Sequence, residues 1–136
     1  MRTKVTAALG TMSLTAGLLF AVPATSAAAA EAPPYTFDAS FGQTYTRGTV
    51  TWYNRSVAIE GEQKSVSPTS CRRTLVDTFT ARGAWLSSRS SSPVCGQSAK
   101  ISFSVPADVA GGAGRVTVHL IHEETREVLS YDIVTK

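Results

Sequence analysis

The feature that most constrains this chain is the alternation of apolar and polar residues along short segments, from Arg47 to the last residue. Alternation with a period of two is typical of strands, and no segment in this part shows the apolar period of a helix. About seven such segments follow one another at the turn spacing of an antiparallel sandwich. Each has one apolar face, and two sheets must pack face to face to bury those faces. The pattern therefore predicts an all-β, immunoglobulin-like sandwich over residues 47–136.

The segment "RGTVTWYNRSVAIEG" predicts the register of one hairpin. If Asn54 and Arg55 form a two-residue loop, one face of the hairpin becomes apolar and the other mixed. Three residue pairs then lie opposite each other: Trp52 with Val57, Val50 with Ile59, and Gly48 with Gly61. Because Arg55 is poorly suited to a positive φ, a slightly longer turn is an alternative.

Three later segments have a clear inward face, and two others are less regular. The predicted inward residues are Ile101, Phe103 and Val105, then Val116, Val118 and Leu120, and finally Leu129, Tyr131 and Ile133. Residues 83–88 form a weaker strand. In residues 71–81 Asp77 lies between Leu75 and Phe79, so the inward face of that strand stays open unless a bulge intervenes.

The start of the chain predicts a secretory signal peptide over residues 1–30. Two cations precede an apolar stretch at 14–22, and a run of small residues follows it. That order indicates cleavage near Ala30, and the apolar stretch is shorter than the about 20 residues that span a bilayer. We therefore expect a secreted, extracellular protein without a membrane span. Residues 31–46 then form either an N-terminal leader or an edge strand around residues 35–38.

The mature chain has few charges and one pair of cysteines. Removal of the signal peptide leaves 11 basic and 10 acidic residues, with no basic run beyond "CRR" at 71–73, so nucleic acid is not an expected partner. Cys71 and Cys95 predict one disulfide in an oxidising compartment. A metal site needs more ligands than this pair, and redox pairs are normally spaced C-x-x-C.

The sequence shows little catalytic equipment. His119 and His122 are three apart in a strand and point to opposite faces, so they cannot chelate one metal together. His122 with Glu123 and Glu124 makes a weak metal cluster, for which a solvated hairpin turn is the simpler interpretation. No nucleophile elbow is present. We therefore expect neither an enzyme nor a bound cofactor or metal.

Three binding functions fit the sequence. The loop at residues 87–93 presents Ser88, Arg89 and Ser90 beside Cys95, as a protease inhibitor would, although its serines argue for a flexible connection.

The second function is carbohydrate binding. Trp52 and Tyr53 are neighbours and cannot both face the core, so Tyr53 is expected outside, and Trp85 poses the same choice with Leu86. The third function, which we expect, is a binding or structural role towards an extracellular protein or a cell-wall polysaccharide, with an unpaired edge strand as its simplest mechanism.

The runs "GTVTWYNRSVAIEG" and "FSVPADVAGGAGRVTVHL" resemble those of the small secreted β-sandwich proteins of high-GC actinobacteria. That group has no assigned activity, so the resemblance implies a fold and an origin and supplies no catalytic residues. The sequence does not resemble the subtilisin inhibitors of such bacteria, which counts against the inhibitor hypothesis.

Overall fold

A computed structural model describes residues 34–136, and the predicted signal peptide lies outside them. Eight strands form two antiparallel four-stranded sheets. The strands are β1 (Tyr35–Phe41), β2 (Thr44–Trp52), β3 (Ser56–Lys64), β4 (Arg72–Phe79), β5 (Trp85–Ser90), β6 (Ser98–Pro106), β7 (Arg115–His122) and β8 (Val128–Thr135). The predicted all-β sandwich is confirmed, with eight strands. No helix that could span a membrane occurs in residues 34–136.

The first sheet has the order β1-β2-β3-β6. Its β2–β3 hairpin has the predicted register, with Trp52 opposite Val57, Val50 opposite Ile59 and Gly48 opposite Gly61. The Tyr53 N–H donates to the Ser56 carbonyl at 3.0 Å and closes the two-residue loop. The strands approach so closely that a Cβ built on Gly61 would lie 2.1 Å from the Arg47 carbonyl oxygen. Glycine is therefore required on both strands at this point.

β1 adds the edge of this sheet, so the sandwich begins at Tyr35 and not at residue 47. Phe37 and Ala39 face the core and are almost fully buried. On the same side of the sandwich, the Asp38 N–H donates to Asp132 Oδ2 of β8 at 2.9 Å. This bond joins an edge strand of one sheet to an edge strand of the other.

The second sheet has the order β5-β4-β7-β8 and settles the orientation of β4. Thr74, Val76 and Thr78 are fully buried, so Asp77 and its outward neighbours lie on the opposite face. The two inward threonines are satisfied by hydrogen bonds, and Thr78 Oγ1 donates to the Pro106 carbonyl at 2.8 Å. A register shift between β4 and β5 occurs only at the last two residues of β4, and it does not turn Leu75 inward.

The core between the sheets is built mainly from β-branched residues of β3, β6 and β7. The predicted inward residues Ile101, Val105, Val116, Val118 and Leu120 are buried, and Phe103 packs partly buried against them. Burying each aliphatic side chain of this kind contributes about 1.5–3 kcal/mol. The predicted disulfide Cys71–Cys95 is present and joins the chain just before β4 to the chain just before β6.

The predicted inward set of β8 is wrong. Tyr131 is 61% exposed and Ile133 is 51% exposed, whereas Val134 is buried. The positions of β8 opposite Leu120 and Val118 hold Ser130 and Asp132, and the Asp132 carboxylate accepts a hydrogen bond from the backbone of β1. The apolar alternation of this strand therefore faces solvent.

Candidate binding face

The outer face of the second sheet presents aromatic side chains from its two edge strands and a polar pair from its two central strands. Asp77 of β4 and His119 of β7 lie at neighbouring outward positions, and His119 lies opposite Tyr131 of β8. A register shift brings Trp85 of β5 to the same face, opposite Phe79. These residues form what we call the aromatic row: Trp85, Asp77, His119 and Tyr131.

Contacts connect the aromatic row across all four strands. The Trp85 Nε1–H donates to Asp77 Oδ1 at 3.2 Å, and His119 Nε2 lies 3.1 Å from Asp77 Oδ2. The His119 and Tyr131 rings are tilted by 42° with centroids 6.2 Å apart. The side chains of Asp77 and His119 are each only 19% exposed, so the polar pair is largely covered. The pair thus holds the indole in one orientation while its ring face stays open.

The ends of the aromatic row are open to solvent. Trp85 is 60% exposed and Tyr131 is 61% exposed, and Ile133 beside Tyr131 adds a further exposed apolar side chain. The Arg115 guanidinium lies 4.5 Å from the centre of the Phe79 ring, on the same face. Neighbouring strands are about 4.8 Å apart, so the row crosses a width of about 14 Å. Exposed apolar side chains that cluster on one face are typical of an interaction site.

The candidate contact residues Ser88, Arg89 and Ser90 do not lie in a loop. They form the second half of β5 and pair with β4, so the protease-inhibitor hypothesis loses its exposed loop. Their exposed side chains belong to an edge strand, whose register is fixed by backbone hydrogen bonds. The Ser91 N–H continues this pairing by donating to the Thr74 carbonyl at 2.9 Å.

Gln63, which the sequence gave no reason to select, anchors the rest of the serine segment. Its side chain is 2% exposed, and its Nε2–H donates to the Ser92 carbonyl at 2.6 Å. Its Oε1 accepts from the Thr74 hydroxyl at 2.8 Å and from the Ser91 hydroxyl at 2.7 Å. A buried amide on the first sheet that bonds β4 of the second sheet and the two residues after β5 explains why the end of the serine segment is ordered.

The two candidate aromatics lie on different sheets. Tyr53 is 55% exposed at the β2–β3 loop of the first sheet, whereas Trp85 belongs to the aromatic row of the second. They therefore do not form one platform. The sequence analysis did not place Tyr131 on the same outer face as Trp85, because it assigned the apolar alternation of β8 to the core.

The two histidines have separate partners, as their spacing predicts. His119 contacts Asp77, whereas His122 contacts Glu124 at the β7–β8 turn. Glu123 is engaged elsewhere, in an ion pair with Arg73 at 2.7 Å. No group of three metal-ligating side chains occurs in residues 34–136.

Comparison of the chain with protein-family models, with curated proteins and with solved structures finds no match.

Proposed function

We propose that the protein is an extracellular domain that binds a polysaccharide on the outer face of its second sheet. The observation that carries this proposal is the aromatic row, in which two rings about 60% exposed flank a polar pair. Tyr and Trp offer a large apolar surface together with a hydrogen-bonding group. Sugar rings have the complementary chemistry, since their C–H faces alternate with hydroxyl groups.

The order of the side chains favours a sugar over a protein partner. A protein interface is expected to have a continuous apolar centre with a polar rim. Here the polar pair Asp77 and His119 lies at the centre of the row, and the apolar rings lie at its ends. The exposed Ser88 adds a hydroxyl group opposite Asp77, on β5. These groups suit a ligand that carries hydroxyls along its length.

The rings are also held ready for a ligand. The Trp85 indole is fixed by its bond to Asp77, and the Tyr131 ring packs against His119. Side chains that are already ordered lose less conformational entropy when a ligand binds. The disulfide supports the location, because such bonds persist in oxidising, extracellular compartments.

The test is binding of the purified domain to insoluble polysaccharides, namely cellulose, chitin, xylan and peptidoglycan, with Trp85→Ala and Tyr131→Ala beside the unmodified protein. Each substitution removes an exposed ring that we expect to contribute about 2 kcal/mol, so affinity should fall about 30-fold. Tyr53→Ala is the matched control, because that ring is equally exposed but lies on the other sheet. Binding that survives both substitutions, or no binding to any of the four polymers, contradicts the proposal and favours a protein partner.

A further inference from the structure

A second cluster lies at the end of the sandwich where β4 begins and β7 ends. Ser70 Oγ lies 2.8 Å from His122 Nε2, and His122 Nδ1 lies 2.9 Å from Glu124 Oε2. The hydroxyl therefore lies at Nε2 of the imidazole and the carboxylate lies at Nδ1. This is the order of groups that nucleophilic catalysis by a serine requires. Ser70 precedes β4, whereas His122 is the last residue of β7 and Glu124 lies in the turn that follows it.

The fold holds this cluster in place from both sides. Ser70 is followed by the disulfide-bonded Cys71, and its carbonyl accepts a hydrogen bond from the buried Ser65 hydroxyl at 2.7 Å. His122 is the last residue of β7, and its N–H donates to the Glu127 carbonyl at 2.9 Å across the turn. A serine that is ordered before the substrate binds loses less entropy when it reaches its reactive geometry.

The carboxylate sets the roles of the two ring nitrogens. Glu124 Oε2 lies 2.9 Å from Nδ1, whereas the Thr125 N–H donates to the same nitrogen over 3.4 Å, a bond that Nδ1 gives up when it carries a proton. A hydrogen bond from its own backbone N–H lowers the pKa of Glu124 below its ordinary value, with smaller contributions from the Cys71 N–H and the charge of His122. An ionised carboxylate favours the proton on Nδ1, which leaves Nε2 free to accept the Ser70 proton.

Arg72 supplies a positive charge at the hydroxyl. Its Nη1 lies 2.5 Å from Ser70 Oγ and 3.0 Å from the Cys71 carbonyl oxygen. A guanidinium beside the attacking oxygen favours the loss of its proton to His122, because a nearby positive charge stabilises the deprotonated form. The side chains of His122 and Glu124 are 23% and 50% exposed, so the cluster is open to a small substrate.

We propose that Ser70, His122 and Glu124 form a hydrolytic site for small acyl esters. Ser70 Oγ attacks the ester carbonyl carbon and gives its proton to His122 Nε2. The bond from carbonyl carbon to alcohol oxygen then breaks, and His122 returns the proton to the departing alcohol. Water attacks the acyl-serine as His122 takes its proton, and the acid leaves as Ser70 is reprotonated. Ester and water give acid and alcohol, with no change of oxidation state.

This activity is independent of the ligand of the aromatic row and would replace the expectation that the protein is not an enzyme. The first test treats the unmodified protein with a fluorophosphonate, which phosphonylates activated serines, and locates the adduct by mass spectrometry. Label on Ser70 is the expected result. Absence of label on Ser70 overturns the proposal, and this outcome does not depend on any variant folding.

The second test follows hydrolysis of p-nitrophenyl acetate. Ser70→Ala and His122→Gln should each lower the rate of hydrolysis by at least about a hundredfold, which is the lower end of the usual contribution of a positioned general base. Glu124→Gln keeps the shape of the side chain but removes its charge, and it should lower the rate less. Ser67→Ala is the matched control in the same loop, since the Ser67 hydroxyl bonds Thr69 Oγ1 and takes no part in the cluster. An unchanged rate in a folded Ser70→Ala protein would assign the hydrolysis to another group and overturn the proposal.

Discussion

The outer faces of the two sheets follow the same alternation, yet their side chains are used differently. On the first sheet, the Arg47 guanidinium lies 3.8 Å above the Tyr45 ring and 3.6 Å from Asp38, and the Tyr45 hydroxyl donates to Glu62. On the second sheet, the rings at both ends of the aromatic row are open to solvent. The first face is occupied by contacts among its own side chains, and the second keeps its largest rings free.

The difference shows that exposure alone does not mark a binding surface. Tyr45 and Tyr131 both project outwards from their sheets, but only the hydroxyl of Tyr45 has a protein partner in the part of the chain that the structure describes. The Tyr45 hydroxyl would have to give up its bond to Glu62 before it could bind a ligand, and this exchange costs affinity. We therefore expect substitutions on the first sheet to change stability and those in the aromatic row to change binding.

The largest effect should come from the close approach of strands in the first sheet. Gly61→Ala places a Cβ 2.1 Å from the Arg47 carbonyl oxygen, and the strands must separate. We expect a loss of about 3 kcal/mol in the free energy of unfolding, at the upper end of overpacking effects. Urea denaturation measures it, with Ser88→Ala on the second sheet as a control that should stay within about 0.5 kcal/mol. Similar values for the two variants would show that the sheets are equally tolerant.

Gln63→Ala should have the next largest effect, because this side chain connects the two sheets. It removes the bonds of Gln63 to the Ser92 carbonyl and to the Thr74 hydroxyl, which keeps its bond to Thr46 at 2.8 Å. A hydrogen bond contributes about 0.5–1.5 kcal/mol, and for the loss of these bonds we expect about 2 kcal/mol. Glu60→Ala, an exposed position on the same strand, is the control. Equal denaturation midpoints for the two variants would show that Gln63 does not stabilise the serine segment.

The smallest effect compares two tyrosines. Tyr45→Phe removes a hydrogen bond and should lower the melting temperature slightly, whereas Tyr131→Phe removes a hydroxyl with no partner in residues 34–136 and should leave the temperature unchanged. Thermal melting of both variants makes the measurement. A larger decrease for Tyr131→Phe would reverse the assignment of roles to the two faces.

The same pair predicts a pH dependence. The hydrogen bond to Glu62 raises the pKa of Tyr45 above its ordinary value of 10.0, since the neutral phenol is the form that donates. A raised pKa in the folded state means that this contribution to stability is complete below pH 10 and is lost as the pH rises through the raised value. An alkaline absorbance titration should show a late phenolate transition. Tyr45→Phe should remove that transition, and Tyr131→Phe should leave it.

Much of the fold was predictable from the sequence, because local rules decide it. The two-residue loop and the facing glycines fix the β2–β3 register, and that register is confirmed pair by pair. The inward faces of β6 and β7 are also confirmed, and β6 is an edge strand like β8. The apolar set of β8 was assigned to the wrong face because its inward Asp132 is held by the backbone of β1, a contact that the alternation within β8 does not indicate.

The candidate sites were harder to predict, because tertiary contacts create them. Asp77 appeared only as a disturbance in an apolar strand, and nothing in the sequence places it between Trp85 and His119. Ser70 and His122 are 52 residues apart and meet only because β4 pairs with β7. The pairing of non-neighbouring strands carries this information, and periodicity within single strands does not.

The disulfide also bears on how the chain assembles after oxidation. β3 pairs with β6 from Lys64 opposite Ser98, so this pairing closes a loop of about 34 residues along the backbone. Through the Cys71–Cys95 bond the same loop has only about ten residues. The shorter loop lowers the entropic cost of the pairing by about 1 kcal/mol. Once the disulfide has formed, β6 lies close to β3 along the cross-linked chain, much as the second strand of a hairpin lies close to the first. We expect the oxidised chain to refold faster than the reduced chain, which stopped-flow fluorescence can measure. The covalent link thus converts a long-range pairing into a short-range one.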